Sequence, residues 1–162
     1  MYLKIKRRLA DYAVSVITDA QVDNGGLVKI DGMAAKTIAG VDVSGEAFKG
    51  AVLTDAVGDL YAVVAPDVTE DQRYSLVGKT EDDMVVPAGE PTRAYLTHKG
   101  LVLTIEKGCV EGTAVVKGDK LAPKAGTNHY EKYVELTHKN ALAQVLKVYS
   151  YKGKEVIDIV FI

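Results

Sequence analysis

The chain has 162 residues, of which 48% are hydrophobic and 26% charged, and its formal net charge is −2. That length accommodates one domain with a sizeable core, and the near-neutral balance lacks the cationic excess expected of a duplex nucleic-acid binder. A single cysteine, Cys109, excludes an internal disulfide and any multi-cysteine metal site.

Residues 1–24 contain no glycine. Lys4, Lys6, Arg7 and Arg8 form a basic cluster that reads as a solvated arm, and no secretory signal or membrane-length apolar run is expected. The apolar positions of Leu9–Thr18 fit a short helix or an extended strand. This stretch is expected to be an N-terminal arm ordered by packing on something, with the first strand of the fold as the equal alternative.

Residues 25–162 are expected to form a single β-rich domain. Leu27–Ile30, Ala51–Thr54 and Leu60–Val64 are short apolar runs. They are separated by Asn24-Gly25-Gly26, Asp31-Gly32 and Val57-Gly58-Asp59, so residues 25–65 read as a β-meander with glycine turns. Residues 66–93 are the least strand-like part. Thr69 and Gln72 have capping-box spacing for one helical turn. Glu81-Asp82-Asp83 and Pro87–Pro91 mark loop, so this stretch is expected to project from the core.

Residues 94–162 return to β. Ala141–Tyr149 and Glu155–Ile162 read as a hairpin through Ser150–Lys154. The second run is apolar on both faces apart from Glu155 and Asp158, which predicts a central, covered strand. Ending on Phe161-Ile162, the C-terminus is expected to be buried or pinned against a partner. Tyr95–Lys99 and Glu135–Lys139 share Leu-Thr-His-Lys, too short an echo for a repeat. The fold class is therefore all-β: a compact β-barrel or sandwich-like domain with an N-terminal arm and a projecting loop region.

No pattern for catalysis, cofactor or metal stands out, and no site residue is assigned. His98, His129 and His138 lack zinc-type spacing, and a site assembled across strands from His129, His138 and an acid is the best metal candidate. Cys109 would need a base beside it to act as a nucleophile; a small buried apolar residue is the simpler reading. Glu70-Asp71 and Glu81-Asp82-Asp83 lack the order of an EF-hand and read as solvated acids able to steer a basic partner. The glycines of Asp23–Gly26 and Gly40–Gly45 lack the lysine and helix of a P-loop.

Three segments carry a resemblance. Asp23–Gly32, Val86–Tyr95 and Lys117–Gly126 resemble segments of the decoration, or head cement, proteins of tailed bacteriophages. The resemblance implies a structural virion protein without catalytic residues, made in the host cytoplasm and located on the capsid surface. Its implied partners are the major capsid protein and other copies of itself, as a trimer where a shell has threefold positions; neither nucleic acid nor membrane is an expected partner. Contact is expected through the N-terminal arm by strand addition, through loop 66–93, and through Tyr2, Tyr12 and Tyr74 as amphipathic anchors. The alternatives are a tail-tube or other virion structural subunit, for which Ala141–Ile162 would supply the long hairpin, and a carbohydrate-binding β-module, disfavoured by the absence of tryptophan. An enzyme has little support in the sequence.

Overall fold

The structure is a computed structural model, and it describes residues 3–7, 13–34, 37–38, 41–42, 47–51, 61–65, 85–138 and 140–162. The protein is all-β, as its sequence predicts. Sixteen strands are described, together with one 3-10 turn at Lys107–Cys109.

Seven strands form the larger sheet, in the order β1 (Leu3–Arg7), β11 (Val102–Glu106), β16 (Lys154–Phe161), β15 (Ala143–Tyr151), β13 (Lys120–Pro123), β14 (Tyr130–Lys132) and β12 (Val110–Glu111). Neighbours are antiparallel except β12 and β14, which run parallel. Five more strands pair in a ring: β10 (Pro91–Leu96), β2 (Ala13–Thr18), β7 (Phe48–Ala51), β4 (Leu27–Met33) and β8 (Tyr61–Ala65), which pairs back onto β10. Two short pairs complete the set: β3 (Val22–Asp23) with β9 (Val85–Val86), and β5 (Thr37–Ile38) with β6 (Val41–Asp42).

Each body has its own core. Leu101, Leu103, Ile105, Leu121, Tyr130, Val145, Ile157, Ile159 and Phe161 pack on the large sheet, whereas Val16, Val22, Val28, Val86 and Ala94 pack in the ring. Strand β4 serves both. Successive side chains on a strand point to opposite faces, so Leu27 joins the sheet core while Val28 joins the ring core.

The C-terminal hairpin is as expected. Its two-residue loop, Lys152-Gly153, has φ of 49° and 80°, the paired positive values of a type I′ turn. β16 lies between β11 and β15, and Val156, Ile157, Asp158 and Ile159 are buried in succession, so the strand is covered on both faces. Phe161 is buried, but Ile162 is half exposed and is held within the chain by its N–H donating to the Leu142 carbonyl at 3.2 Å.

Several expectations need correction. Residues 13–24 are not an arm: β2 pairs with β10 and β7, and Val16 and Val22 are fully buried. The first-strand alternative describes them, and Val16 and Val22 feed the ring core. Residues 3–7 are the edge strand of the large sheet. Asp31-Gly32 is not a hairpin turn: Gly32, at φ 72°, lies inside β4 where its register with β7 shifts, so it makes a bulge. Residues 25–65 are no simple meander, since β4 sits between β7 and β8. At the end of the 66–93 stretch, Val86 and Thr92 are buried in strands. The Thr69–Gln72 turn, the Glu70-Asp71 and Glu81–Asp83 acids, and Tyr2, Tyr12 and Tyr74 lie outside the described residues.

Candidate functional site

Of the residues named in the sequence, Asp23, Cys109 and His129 come together where ring meets sheet. Asp23 ends β3, and the turn that follows is closed by the Gly26 N–H donating to the Asp23 carbonyl at 2.9 Å. The next residue, Leu27, donates its N–H to the Asn128 carbonyl at 2.7 Å, so the turn is stitched to the loop before β14. Gly26 is required by this close approach: a Cβ there would lie 2.5 Å from Asn128 Nδ2 and 2.9 Å from the Asp23 oxygen.

His129 fills the seam. Its Nδ1 is 2.7 Å from Glu111 Oε1 and its Nε2 is 2.9 Å from Asp23 Oδ2. Only the doubly protonated ring donates to both carboxylates at once. Glu111 is also bonded to the Lys124 ammonium. The Lys124 hydrogen bond, followed by that of His129, holds the Glu111 carboxyl below the usual carboxylate range, and Glu111 in turn raises Lys124. The result is a four-residue hydrogen-bonded row, Asp23–His129–Glu111–Lys124, whose first member comes from the ring side and the rest from the sheet.

Cys109 lies under the same seam. It is fully buried, and its Sγ is 3.8 Å from the Asn24 carbonyl. Burial pushes the thiol up to about 12, which disfavours the thiolate a nucleophile needs. Beside it the Tyr130 hydroxyl donates to the Gly25 carbonyl at 3.4 Å, and burial raises the phenol as well. Cys109 and Tyr130 therefore belong to the packing of the joint.

The metal candidate of the sequence does not assemble. His129 and His138 have separate partners, and the Asp23 and Glu111 carboxylates contact opposite nitrogens of the His129 ring. No cluster of three or more His, Cys, Asp or Glu side chains suited to a metal occurs among the described residues. His138 is buried. The Val134 N–H donates to its Nδ1 at 2.8 Å, so Nε2 carries the proton and donates to Glu131 Oε1 at 2.9 Å. His98 is half-buried at the turn after β10, with Nδ1 3.3 Å from the Lys99 carbonyl. The shared Leu-Thr-His-Lys wording thus falls on two different local structures.

Two resemblance-bearing segments contain turns with defined work. In Lys117–Gly126, the Asp119 carboxylate accepts the Val116 N–H at 2.9 Å and the Lys132 ammonium at 2.9 Å. These contacts, the Val116 one foremost, lower the Asp119 carboxyl below its ordinary range. In Val86–Tyr95, Gly89 donates its N–H to the Thr18 carbonyl at 2.7 Å and ties the turn to β2.

A shallow groove of about 430 Å³ runs past Glu106, Lys107, Gly108, Val110, Lys154 and Glu155. Its charges are paired across the strands, Lys107 with Glu155 and Lys154 with Glu106 at 3.8 Å.

What sequence reasoning missed is the row itself. Asp23 opens a glycine turn and Glu111 carries no motif of its own; their meeting with His129 depends on pairings across 106 and 18 positions, which no local spacing reveals. No protein-family model matches the chain, and no curated protein matches it.

Proposed function

We propose that the chain is a structural virion protein that binds the outside of a phage capsid and reinforces the shell. The observation that supports a mechanical role is the seam. His129 is gripped at both ring nitrogens by Glu111 of the large sheet and by Asp23 of β3, whose Val22 packs in the ring core, and the Leu27–Asn128 backbone bond runs beside it. Groups that the sequence offered for chemistry are used to join the two halves. A reinforcing subunit has to carry load between its points of attachment, and a joint of partly buried, mutually polarising hydrogen bonds resists opening.

In this reading the partner is the major capsid protein, with self-association on the shell, as a trimer at threefold positions. Each attachment is modest, and the number of copies on one shell multiplies it. The likeness of Asp23–Gly32, Val86–Tyr95 and Lys117–Gly126 to decoration-protein segments supports the same reading.

A tail-tube subunit is the second reading, favoured by the long β15–β16 hairpin of 9 and 8 residues. One flank is paired with β11 over residues 156–160, and the other with β13 only at Ala143 and Gln144; the paired β11 flank is what counts against a hairpin that continues into a neighbouring copy.

The test is the copy number of the chain in purified particles relative to the major capsid protein. A shell-scale ratio is expected. A ratio of a few copies per tail ring would transfer the chain to the tube, and absence from the particle would overturn both readings.

A further inference from the structure

We infer that one end of the seven-stranded sheet is the docking surface of the chain, and that its counterpart is an apolar recess rimmed by carboxylates on a different protein; that this protein is the capsid subunit rests on the function proposed above.

Four of the seven large apolar side chains exposed among the described residues belong to this end: Leu136 at 98%, Val116 at 62%, Val134 at 49% and Leu146 at 39%. Single exposed apolar residues are ordinary. These four lie on three segments bonded to one another. Gly118 donates its N–H to the Val145 carbonyl at 2.8 Å, and Val145 returns its N–H to Asp119 at 2.8 Å, which links the Val116 turn to the bulge that carries Leu146. Lys132 reaches Asp119, and the Tyr133 N–H donates to the Lys120 carbonyl at 2.8 Å, which links the same turn to the Leu136 loop.

The Leu136 loop is held in shape from inside. The Val134 carbonyl accepts the N–H groups of Thr137 at 3.0 Å and His138 at 2.9 Å. The His138 ring closes the loop from below and is fixed by Glu131. A loop ordered beforehand presents its apolar apex without the ordering cost that weakens flexible contacts.

Charge selects the occupant. Lys117 and Lys120 are exposed and have no ion pair among the described residues. Lys147 is exposed over the Tyr149 ring. Of the nearby acids, Asp119 is paired with the Lys132 ammonium, while Glu131, hydrogen-bonded to the His138 ring, and Glu135 keep their charge, so three amines face two carboxylates. Amines therefore predominate at one end of a chain whose net charge is −2, and an acidic rim is the complement. A two-fold contact with a second copy would bring the same lysine-rich patch onto itself, which opposes a symmetric dimer through this surface; the counterpart we assign is another protein.

The experiment measures binding of the purified full chain to capsids from particles assembled without it, by co-sedimentation at low and moderate NaCl. Leu136→Asp is expected to weaken binding about tenfold or more. The double reversal Lys117→Glu with Lys120→Glu is expected to weaken it and to flatten its salt dependence. Met33→Asp, an exposed site on β4 of the ring, is expected to bind like the parent. Each variant changes an exposed side chain and should keep the parent's melting temperature, which separates lost docking from lost fold. If the parent binds and both docking variants bind equally well, this surface is refuted while the decoration reading stands. If the parent does not bind capsids, the decoration reading falls and the capsid docking falls with it. A dimer in sedimentation that Leu136→Asp disperses would make a second copy the occupant and overturn the proposal.

Discussion

Replacing Gly26 with alanine tests whether the ring and the sheet are joined as closely as the seam geometry implies. The new Cβ would sit 2.5 Å from Asn128 Nδ2 and 2.9 Å from the Asp23 carbonyl oxygen, whereas relaxed contacts between such atoms need roughly 3.5 Å. The Asn128 amide must retreat by about 1 Å, and its carbonyl partner in the backbone cannot follow without loosening the bond to Leu27. The Asp23 oxygen is itself held by the Gly26 N–H. Overpacking of this kind costs about 1–3 kcal/mol, and Gly26→Ala is expected near 2–3 kcal/mol in urea unfolding. Asn128 Nδ2 is buried without a hydrogen-bond partner among the described residues, so Asn128→Ala alone should cost little, about 1 kcal/mol or less. The double variant should recover most of the Gly26→Ala loss and keep a residue of about 1 kcal/mol from the Asp23 contact, a coupling of about 1–2 kcal/mol. Additivity within about 0.5 kcal/mol, or a neutral Gly26→Ala, would show that the two segments do not approach as described.

Cys109 should resist a thiol reagent at mildly alkaline pH in the folded protein and react once the chain is unfolded, since burial disfavours the thiolate; rapid stoichiometric labelling of the native protein would refute its burial. Glu111 is depressed in the folded state, so its contribution to stability is present above the ordinary carboxylate range and is lost as pH falls through the folded value. Glu111→Gln should therefore be less stable than the parent at neutral pH, with the two unfolding curves converging below about pH 4; an unchanged difference at acid pH would contradict the pairing. Thr104→Val removes the hydroxyl that donates to the buried Asp158 carboxylate at 2.6 Å and leaves the Tyr149 hydroxyl at 3.1 Å. A loss of about 1–3 kcal/mol is expected, and a loss below about 0.5 kcal/mol would mean that the carboxylate finds other solvation.

Where sequence signals are local, they describe the fold well. Lys152-Gly153 specifies its turn through two adjacent positive φ values, and the unbroken apolar run before Ile162 specifies a strand covered on both sides. Where pairing is remote, the same kinds of signal mislead. Asp31-Gly32 has the wording of a hairpin turn, but β4 continues through it as a bulge because β7 pairs with residues on both sides of it. The apolar positions 13, 14, 16 and 17 fit a short helix or an extended strand; the partner strand β10 lies 74 to 82 positions later, and nothing local selects it. The seam row was hidden for the same reason. The exposed Leu136 was hidden for another: an apolar residue in a polar loop looks the same in sequence whether it folds inward or stands out, and the His138 contacts that hold the loop are visible only in three dimensions.

The ring has a consequence for how the protein is made. β2 finds β10 only after Leu96 has been synthesised, and β1 finds β11 only after Glu106. These strands therefore leave the ribosome well before β10 and β11 exist, with one edge of β2 still unpaired and with valines that the finished protein hides. Such delayed pairing slows folding and exposes a chain to aggregation while it waits. Truncated products that end before Leu96 should therefore depend on chaperones and precipitate without them, so supply of the intact protein is governed by completion of the chain as well as by its final stability.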